Sequence, residues 1–192
     1  MPEALIVQLS DVHVKTADDP IVAKWPALIR AIQAELTSDI QASIITFCGD
    51  AAFSGVSDQF DVAYMLLADL QRQLRLSHPT IPCHILTVPG NHDCDLTSHD
   101  QEARVTLRRS AQAKAPSPSI SEVLLEPQKA YFVFAKSLST LATLSPRAPF
   151  YTCADLIVSG FRLRFHLLNS SWTSILQETD DLVFVVSARE EK

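Results

Sequence analysis

Residues 43–50 read Ser-Ile-Ile-Thr-Phe-Cys-Gly-Asp, an apolar run that stops at a glycine and an acidic residue. An apolar run of this length predicts a strand buried on both faces, as in a parallel sheet. Two runs of similar design flank it in the chain: residues 4–9, followed by Ser-Asp-Val-His at 10–13, and residues 84–88, followed by Pro-Gly-Asn-His-Asp at 89–93. Each predicted strand therefore ends in a turn that carries polar side chains.

Helical periodicity fills the two intervals between these runs. Apolar residues recur three and four positions apart, at Trp25, Leu28, Ile29, Ile32 and Leu36 in the first interval and at Ala63, Leu66, Leu67, Leu70 and Leu74 in the second. Such spacing places the apolar side chains of each segment on one face of a helix. Strands that alternate with helices predict an α/β domain, in which helices cover a parallel sheet.

The middle of the chain is more polar. We expect a helix within residues 97–113, and the Ala-Pro-Ser-Pro-Ser stretch at 115–119 predicts an exposed loop. Pro127 suits the first turn of a following helix. The apolar face of that helix is expected to comprise Tyr131, Phe134, Leu138 and Leu141.

A hairpin is predicted near the C-terminal end. Residues 150–158 and 161–168 alternate in polarity around Ser159-Gly160, with Leu163, Phe165 and Leu167 on one face of the second arm. The apolar stretch 182–186 predicts one more strand.

Composition excludes several classes of protein. The 192 residues suit one folded domain, and 47% of them are apolar. The net charge of −6 argues against a purely electrostatic nucleic-acid binder, although metal-binding carboxylates contribute to that charge. We expect no membrane span, because no apolar run approaches the about 20 residues that a span requires. We expect no secretion signal, because the N-terminus has neither a basic segment nor an apolar segment of adequate length. The four cysteines lack zinc-like spacing, and we interpret them as reduced thiols of a cytoplasmic protein.

The three strand ends carry residue types that bind metal ions: Asp11 and His13 after the first, Asp50 after the second, and Asn91, His92 and Asp93 after the third. Loops at the carboxyl ends of parallel strands meet at one edge of the sheet. Residues two positions apart on a strand point the same way, so the pair in the first loop is expected to reach one ion. Carboxylate, imidazole and amide ligands suit Mn²⁺, Fe or Zn²⁺. An aspartate between two ligand sets can bridge two such ions.

Three motifs, Asp11-x-His13, Gly49-Asp50 and Gly90-Asn91-His92-Asp93, closely resemble the first three motifs of the calcineurin-like metallophosphoesterases, in the same order. The segment Leu168-Asn169-Ser170-Ser171 resembles one that is common in phosphodiesterase-like members. The resemblance covers roughly residues 4–172. It implies a two-sheet sandwich flanked by helices, here one domain over residues 1–192 that is incomplete on its C-terminal side.

The resemblance also implies roles for the motif residues. The implied metal ligands are Asp11, His13, Asp50 and Asn91, with Asp50 bridging two divalent ions. His92 would stabilise the transition state or protonate the leaving group, and Asp93 would fix the imidazole tautomer of His92. The implied reaction is hydrolysis of a phosphoester by hydroxide activated at the two ions. We favour a phosphodiester substrate, either a cyclic nucleotide or a nucleic acid, with a phosphomonoester as the alternative.

Two later family motifs, a single histidine and a Gly-His-x-His, are missing from this sequence. After the third motif, the only histidines are His99 and His166. We therefore expect a longer native protein whose C-terminal remainder completes the metal site. These 192 residues alone are expected to bind metal weakly and to turn over slowly or not at all. One alternative is a non-catalytic regulatory or interaction module with a degenerate site. Another is the nuclease effector domain of a multidomain protein.

A basic run follows the third motif and has two interpretations. It comprises Arg104, Arg108, Arg109 and Lys114. The run is either the solvated face of a helix or a positive rim that draws phosphate or nucleic acid toward the acidic site.

Overall fold

A parallel sheet forms the first half of the chain. The computed structural model describes residues 3–138 and 143–176. Strands and helices alternate as β1 (Glu3–Leu9), α1 (Pro20–Glu35), β2 (Ile40–Cys48), α2 (Ser57–Ser77) and β3 (Cys83–Val88). The sheet order is β1-β2-β3, and both pairings are parallel. The predicted α/β class is confirmed.

The second half adds three helices and an antiparallel sheet. The helices are α3 (Gln101–Ala113), α4 (Pro118–Leu125) and α5 (Lys129–Leu138), and the strands are β4 (Thr143–Ala148), β5 (Tyr151–Val158) and β6 (Phe161–Leu168). The order of the second sheet is β4-β5-β6, and both of its pairings are antiparallel. Strands β5 and β6 form the predicted hairpin.

The parallel sheet is packed on both faces. Helices α1, α2 and α5 bury residues such as Trp25, Leu67 and Phe134 against one face. On the other face, Ile44 of β2 and Leu86 of β3 pack against the second sheet. Their partners there are Ala154 and Leu156 of β5 and Leu163, Phe165 and Leu167 of β6. The result is two sheets face to face with helices outside the first, which matches the expected sandwich.

Two local predictions need correction, and one strand was not predicted. Strand β1 is only partly buried: Ile6 lies beside Ile44 on the face toward the second sheet, and it stays 53% exposed because that sheet packs mainly over β2 and β3. Part of the predicted loop 115–119 is helical: Ser117 caps α4, its hydroxyl accepting the N–H of Ile120, and Pro118 begins the helix. Strand β4 was not predicted, since Pro146 within it argues against a strand.

Two other expectations fall outside the described residues: the strand at 182–186, and Leu141 as part of the α5 face. Helix α5 does bury its other three predicted residues, Tyr131, Phe134 and Leu138. None of the described helices is both long and apolar enough to cross a membrane.

The basic run on α3 is neither a uniform solvated face nor a uniform positive rim, because Arg104 and Arg108 are buried. The guanidinium of Arg104 donates to three backbone carbonyls, those of Ser174 (2.6 Å), Leu124 (2.9 Å) and Trp172 (2.9 Å). Arg104 thus ties α3 to the end of α4 and to the segment after β6. Periodicity alone does not identify this role, because the partners are distant main-chain atoms.

Arg104→Met should lower the free energy of unfolding by about 3 kcal/mol, because three buried carbonyls would lose their donor. Arg109→Met is the matched control: Arg109 is exposed on the same helix, and its substitution should change stability by less than about 0.5 kcal/mol. Urea denaturation of the two variants measures the difference. Equal effects would show that the buried hydrogen bonds of Arg104 do not stabilise the fold.

Candidate metal centre

The loops after β1 and β2 run side by side beyond the end of the sheet. Asp11 N–H donates to the carbonyl of Gly49 (3.2 Å), and His13 N–H donates to the carbonyl of Asp50 (3.0 Å). An isolated parallel bridge between Val14 and Ala52 extends this pairing. The two loops are therefore held in register by their main chains, which places their side chains at one point.

Asp11, His13 and Asp50 all have left-handed backbones, with φ of 55°, 49° and 56°. This conformation costs a residue other than glycine about 1–2 kcal/mol, and such strain concentrates at functional sites. It also corrects the expected geometry. Strand β1 ends at Leu9, so Asp11 and His13 come together through bends in the loop and not through strand alternation.

The structure brings three potential metal-ligand atoms together, one each from Asp11, His13 and Asp50, all within 4.8 Å of one another. His13 Nε2 lies 3.7 Å from Asp11 Oδ1 and 3.9 Å from Asp50 Oδ2. These distances are too long for direct hydrogen bonds, but they leave room for an ion bound at about 2.0–2.2 Å from each atom. Two carboxylates and an imidazole suit Mn²⁺, Fe or Zn²⁺, so the residues present fit a divalent ion.

Glycine is required where the loops after β2 and β3 meet. A Cβ on Gly90 would lie 2.0 Å from Asp50 Oδ1, and a Cβ on Gly49 would lie 2.9 Å from the Cα of Gly90. The close approach lets the N–H of His92 donate to Asp50 Oδ1 (2.9 Å). This bond engages one carboxylate oxygen of Asp50 and leaves Oδ2 facing His13.

The carboxylate of Asp93 connects the loop after β2 with the loop after β3. Its side chain is fully buried, and its carboxylate accepts the N–H groups of Asp50 (2.8 Å), Ala52 (2.9 Å) and Gly90 (2.9 Å). Burial raises the pKa of Asp93 to about 6, although the backbone hydrogen bonds act to lower it. The carboxylate therefore fixes the position of Asp50 and the path of the loop after β3.

His92 is oriented by a group that sequence reasoning missed. Its Nδ1 lies 2.7 Å from the carbonyl oxygen of Phe53. A carbonyl only accepts, so Nδ1 carries the proton and Nε2 is the nitrogen available for chemistry. The expected contact between Asp93 and the imidazole is replaced by this one, because the carboxylate of Asp93 is taken up by main-chain donors. A sequence pattern carries no signal for a backbone carbonyl partner.

The His92 ring also packs against His13, with ring centroids 4.4 Å apart and planes at 82°. Nδ1 of His13 is buried with no hydrogen-bond partner in the part of the chain that the structure describes. Asn91 begins the short turn Asn91–Asp93, and its side chain is exposed. Its role as a ligand of a second ion stays a prediction.

The segment that resembles phosphodiesterase-like members supports the end of β3. Asn169 and Ser171 are buried with Gln128, whose amide donates to Ser171 Oγ (2.8 Å) and accepts from Asn169 (2.7 Å). The Ser171 hydroxyl donates to the carbonyl of Pro89 (3.1 Å), directly before Gly90. This polar network anchors the loop that carries His92.

One of three comparisons with known proteins gives a match, and it is to a protein family. The sequence model described as calcineurin-like phosphoesterase matches residues 4–170, which include every motif of the site. Searches of curated proteins and of solved structures found no match.

Asp93→Asn should lower the free energy of unfolding of the metal-free protein by about 1–3 kcal/mol. The amide would replace one acceptor with an NH₂ group and leave a buried backbone N–H unpaired. Urea denaturation is the measurement, with Asp61→Asn, at an exposed position on α2, as the control. If both variants are as stable as the wild type, the three hydrogen bonds to Asp93 do not hold the loops.

Proposed function

Because the chain belongs to the calcineurin-like phosphoesterase family, we propose that it hydrolyses phosphodiesters in a reaction that depends on two divalent metal ions. The observation that carries the proposal is the convergence of Asp11, His13 and Asp50 within 4.8 Å. The family match supports phosphoester hydrolysis in general. The choice of a diester and the number of ions go beyond that match.

Four residues would hold the ions. Asp11, His13 and Asp50 would bind the first, and Asp50 and Asn91 would bind the second. The chemistry that such ions supply is activation of water and neutralisation of charge on the phosphoryl oxygens. We propose Mn²⁺, Fe or Zn²⁺, because the donors are mixed oxygen and nitrogen atoms.

We propose that Nε2 of His92 takes up the proton that the attacking water loses and donates it to the leaving-group oxygen. Its Nδ1–H is held by the carbonyl of Phe53 (2.7 Å), which aims the opposite nitrogen away from that carbonyl. Its main-chain N–H holds Asp50 Oδ1 (2.9 Å), so one residue both positions a metal ligand and supplies an imidazole to the site. Asp93 is a positioning residue, since it touches only backbone donors in the described contacts.

The substrate is proposed to be a phosphodiester of the cyclic nucleotide or nucleic-acid class. Support comes from the likeness of residues 168–171 to phosphodiesterase-like members. The Asn169 side chain is buried and donates to Gln128, so it holds this segment in place. A phosphomonoester is the alternative substrate.

A non-catalytic module is the second candidate function. It is favoured by one observation: the sequence contains no His-x-His, which the family uses to complete both metal sites. A C-terminal remainder that supplies these histidines would favour the enzyme, including a nuclease domain of a longer protein.

A cytoplasmic location is proposed with either function, because none of the four cysteines forms a disulfide.

Hydrolysis of bis(p-nitrophenyl) phosphate with Mn²⁺ tests the proposal on this chain and, if the native protein is longer, on the native protein as well. We expect release of p-nitrophenol that is abolished by EDTA and restored by Mn²⁺, and faster release than from p-nitrophenyl phosphate. Faster release from the monoester would contradict the diester preference. The absence of metal-dependent release from both proteins would favour the non-catalytic module.

His92→Gln should lower kcat by about 10²- to 10⁴-fold, the usual contribution of a positioned acid or base. His78→Gln is the control, because His78 lies at the far end of α2, beyond the helix C-terminus. Steady-state kinetics with diphenyl phosphate, whose phenolate leaves poorly unless it is protonated, give the comparison in whichever of the two proteins is active. A kcat for the His92 variant within about twofold of that of the control would remove His92 from the reaction.

A further inference from the structure

Phe53 exposes an aromatic ring beside the candidate metal centre. The residue is 41% exposed, although it follows directly on the buried Ala51 and Ala52. Its ring centroid lies 5.8 Å from that of His92 and 6.5 Å from that of His13. The phenyl ring is therefore an apolar surface at the rim of a site whose other groups are polar.

The backbone of Phe53 is fixed from three directions. Its N–H donates to the carbonyl of Val14 (3.2 Å) and to Oε1 of the buried Gln59 (3.0 Å). Its carbonyl accepts from His92 Nδ1 (2.7 Å). The ring is thus presented at a defined place relative to the imidazole, and a ligand that packs on it would meet a preorganised surface.

Lys15 adds a positive charge at the same place. Its ammonium Nζ lies 3.9 Å from the centroid of the Phe53 ring. A cation–π contact of an exposed lysine is weak, and the lysine side chain is flexible, so the ammonium can leave the ring for an anion. Close to a site of carboxylates, such a cation favours the approach of a phosphate.

Exposure alone does not distinguish Phe53 from other phenylalanines. Phe161 is 67% exposed, but it lies at the turn between β5 and β6, where β6 begins. Only at Phe53, among the described phenylalanines, does one residue combine an exposed ring, a contact with a cation and a hydrogen bond to His92. That combination suits a ligand that carries both an aromatic group and a phosphate.

We propose that Phe53 and Lys15 form a subsite for phosphoesters with an aromatic substituent, either a nucleobase or an aryl group. The aromatic group packs on the Phe53 ring, and Lys15 pairs with the phosphate. This inference rests on the proposed function, because it assumes that a phosphoester binds at the metal centre. It makes Phe53 a specificity-determining residue that takes no part in proton transfer.

The test is equilibrium binding by calorimetry in the presence of Mn²⁺, with three monoesters as probes: phenyl phosphate, adenosine 5′-monophosphate and methyl phosphate. The wild type should bind the two aromatic probes at least about fivefold more tightly than methyl phosphate, the lower range for stacking on one aromatic side chain. The tighter of the two identifies whether the site suits a nucleobase or a simple aryl group.

Four variants separate aromatic contact from other effects. Phe53→Leu should remove the aromatic preference, Phe53→Tyr should keep it, and Phe161→Leu should leave all three affinities unchanged. Lys15→Gln should weaken binding of all three probes by a similar factor. Unchanged Mn²⁺ affinity in Phe53→Leu serves as the check that the site is still folded.

The outcomes distinguish the inference from the proposed function. If the wild type binds all three probes in the presence of Mn²⁺ with equal affinity, or if Phe53→Leu keeps the aromatic preference, the subsite is wrong and the function is unaffected. If Mn²⁺ does not promote binding of any probe, both the proposed function and the subsite are wrong. Loss of the preference in Phe53→Leu alone, with Phe53→Tyr intact, supports the subsite.

Discussion

The hydrogen bonds of one buried carboxylate hold the candidate metal centre together. Asp93 accepts three backbone N–H groups from the loops after β2 and β3, and it lies beneath both of them. Taking a carboxylate out of water is costly, and its raised pKa, about 6, reflects that cost. The main-chain donors offset part of it. The geometry of these three hydrogen bonds fixes the position of Asp50, and Asp50 in turn determines where an ion and the His92 ring can lie.

The strain of the site follows from the same constraint. Asp11, His13 and Asp50 keep left-handed backbones that their side chains disfavour. Loop pairing beyond the sheet, and a contact between Gly49 and Gly90 that excludes any Cβ, hold these conformations in place. Away from the site, a buried guanidinium and a buried amide network tie the segment after β6 to α3 and to the end of β3. The fold thus preorganises the candidate ligands.

Much of this arrangement could be predicted from the sequence. The apolar runs and helical spacing predicted the parallel sheet, its helices and the β5–β6 hairpin, because each pattern reports burial directly. Strand β4 was not predicted, because Pro146 argues against a strand. Proline is tolerated there since β4 lies at the edge of its sheet. The hydrogen-bond partners of the His92, Asp93 and Arg104 side chains were not predicted either. All of these partners are backbone atoms, which every residue possesses. The motifs indicated which side chains meet, whereas the bends that bring Asp11 and His13 together became visible only in three dimensions.

The central claim is that Asp11, His13 and Asp50 form a metal site, and calorimetric titration with Mn²⁺ tests it most directly. Asp50→Asn keeps the shape of the side chain and removes its charge, and Asp61→Asn removes a charge from an exposed position on α2. The wild type and the Asp61 variant should bind Mn²⁺ with the same affinity, and the Asp50 variant should bind it at least about tenfold more weakly, as expected when a ligand or its supporting group is lost. Equal affinities for all three proteins, or no binding by the wild type, would contradict the claim.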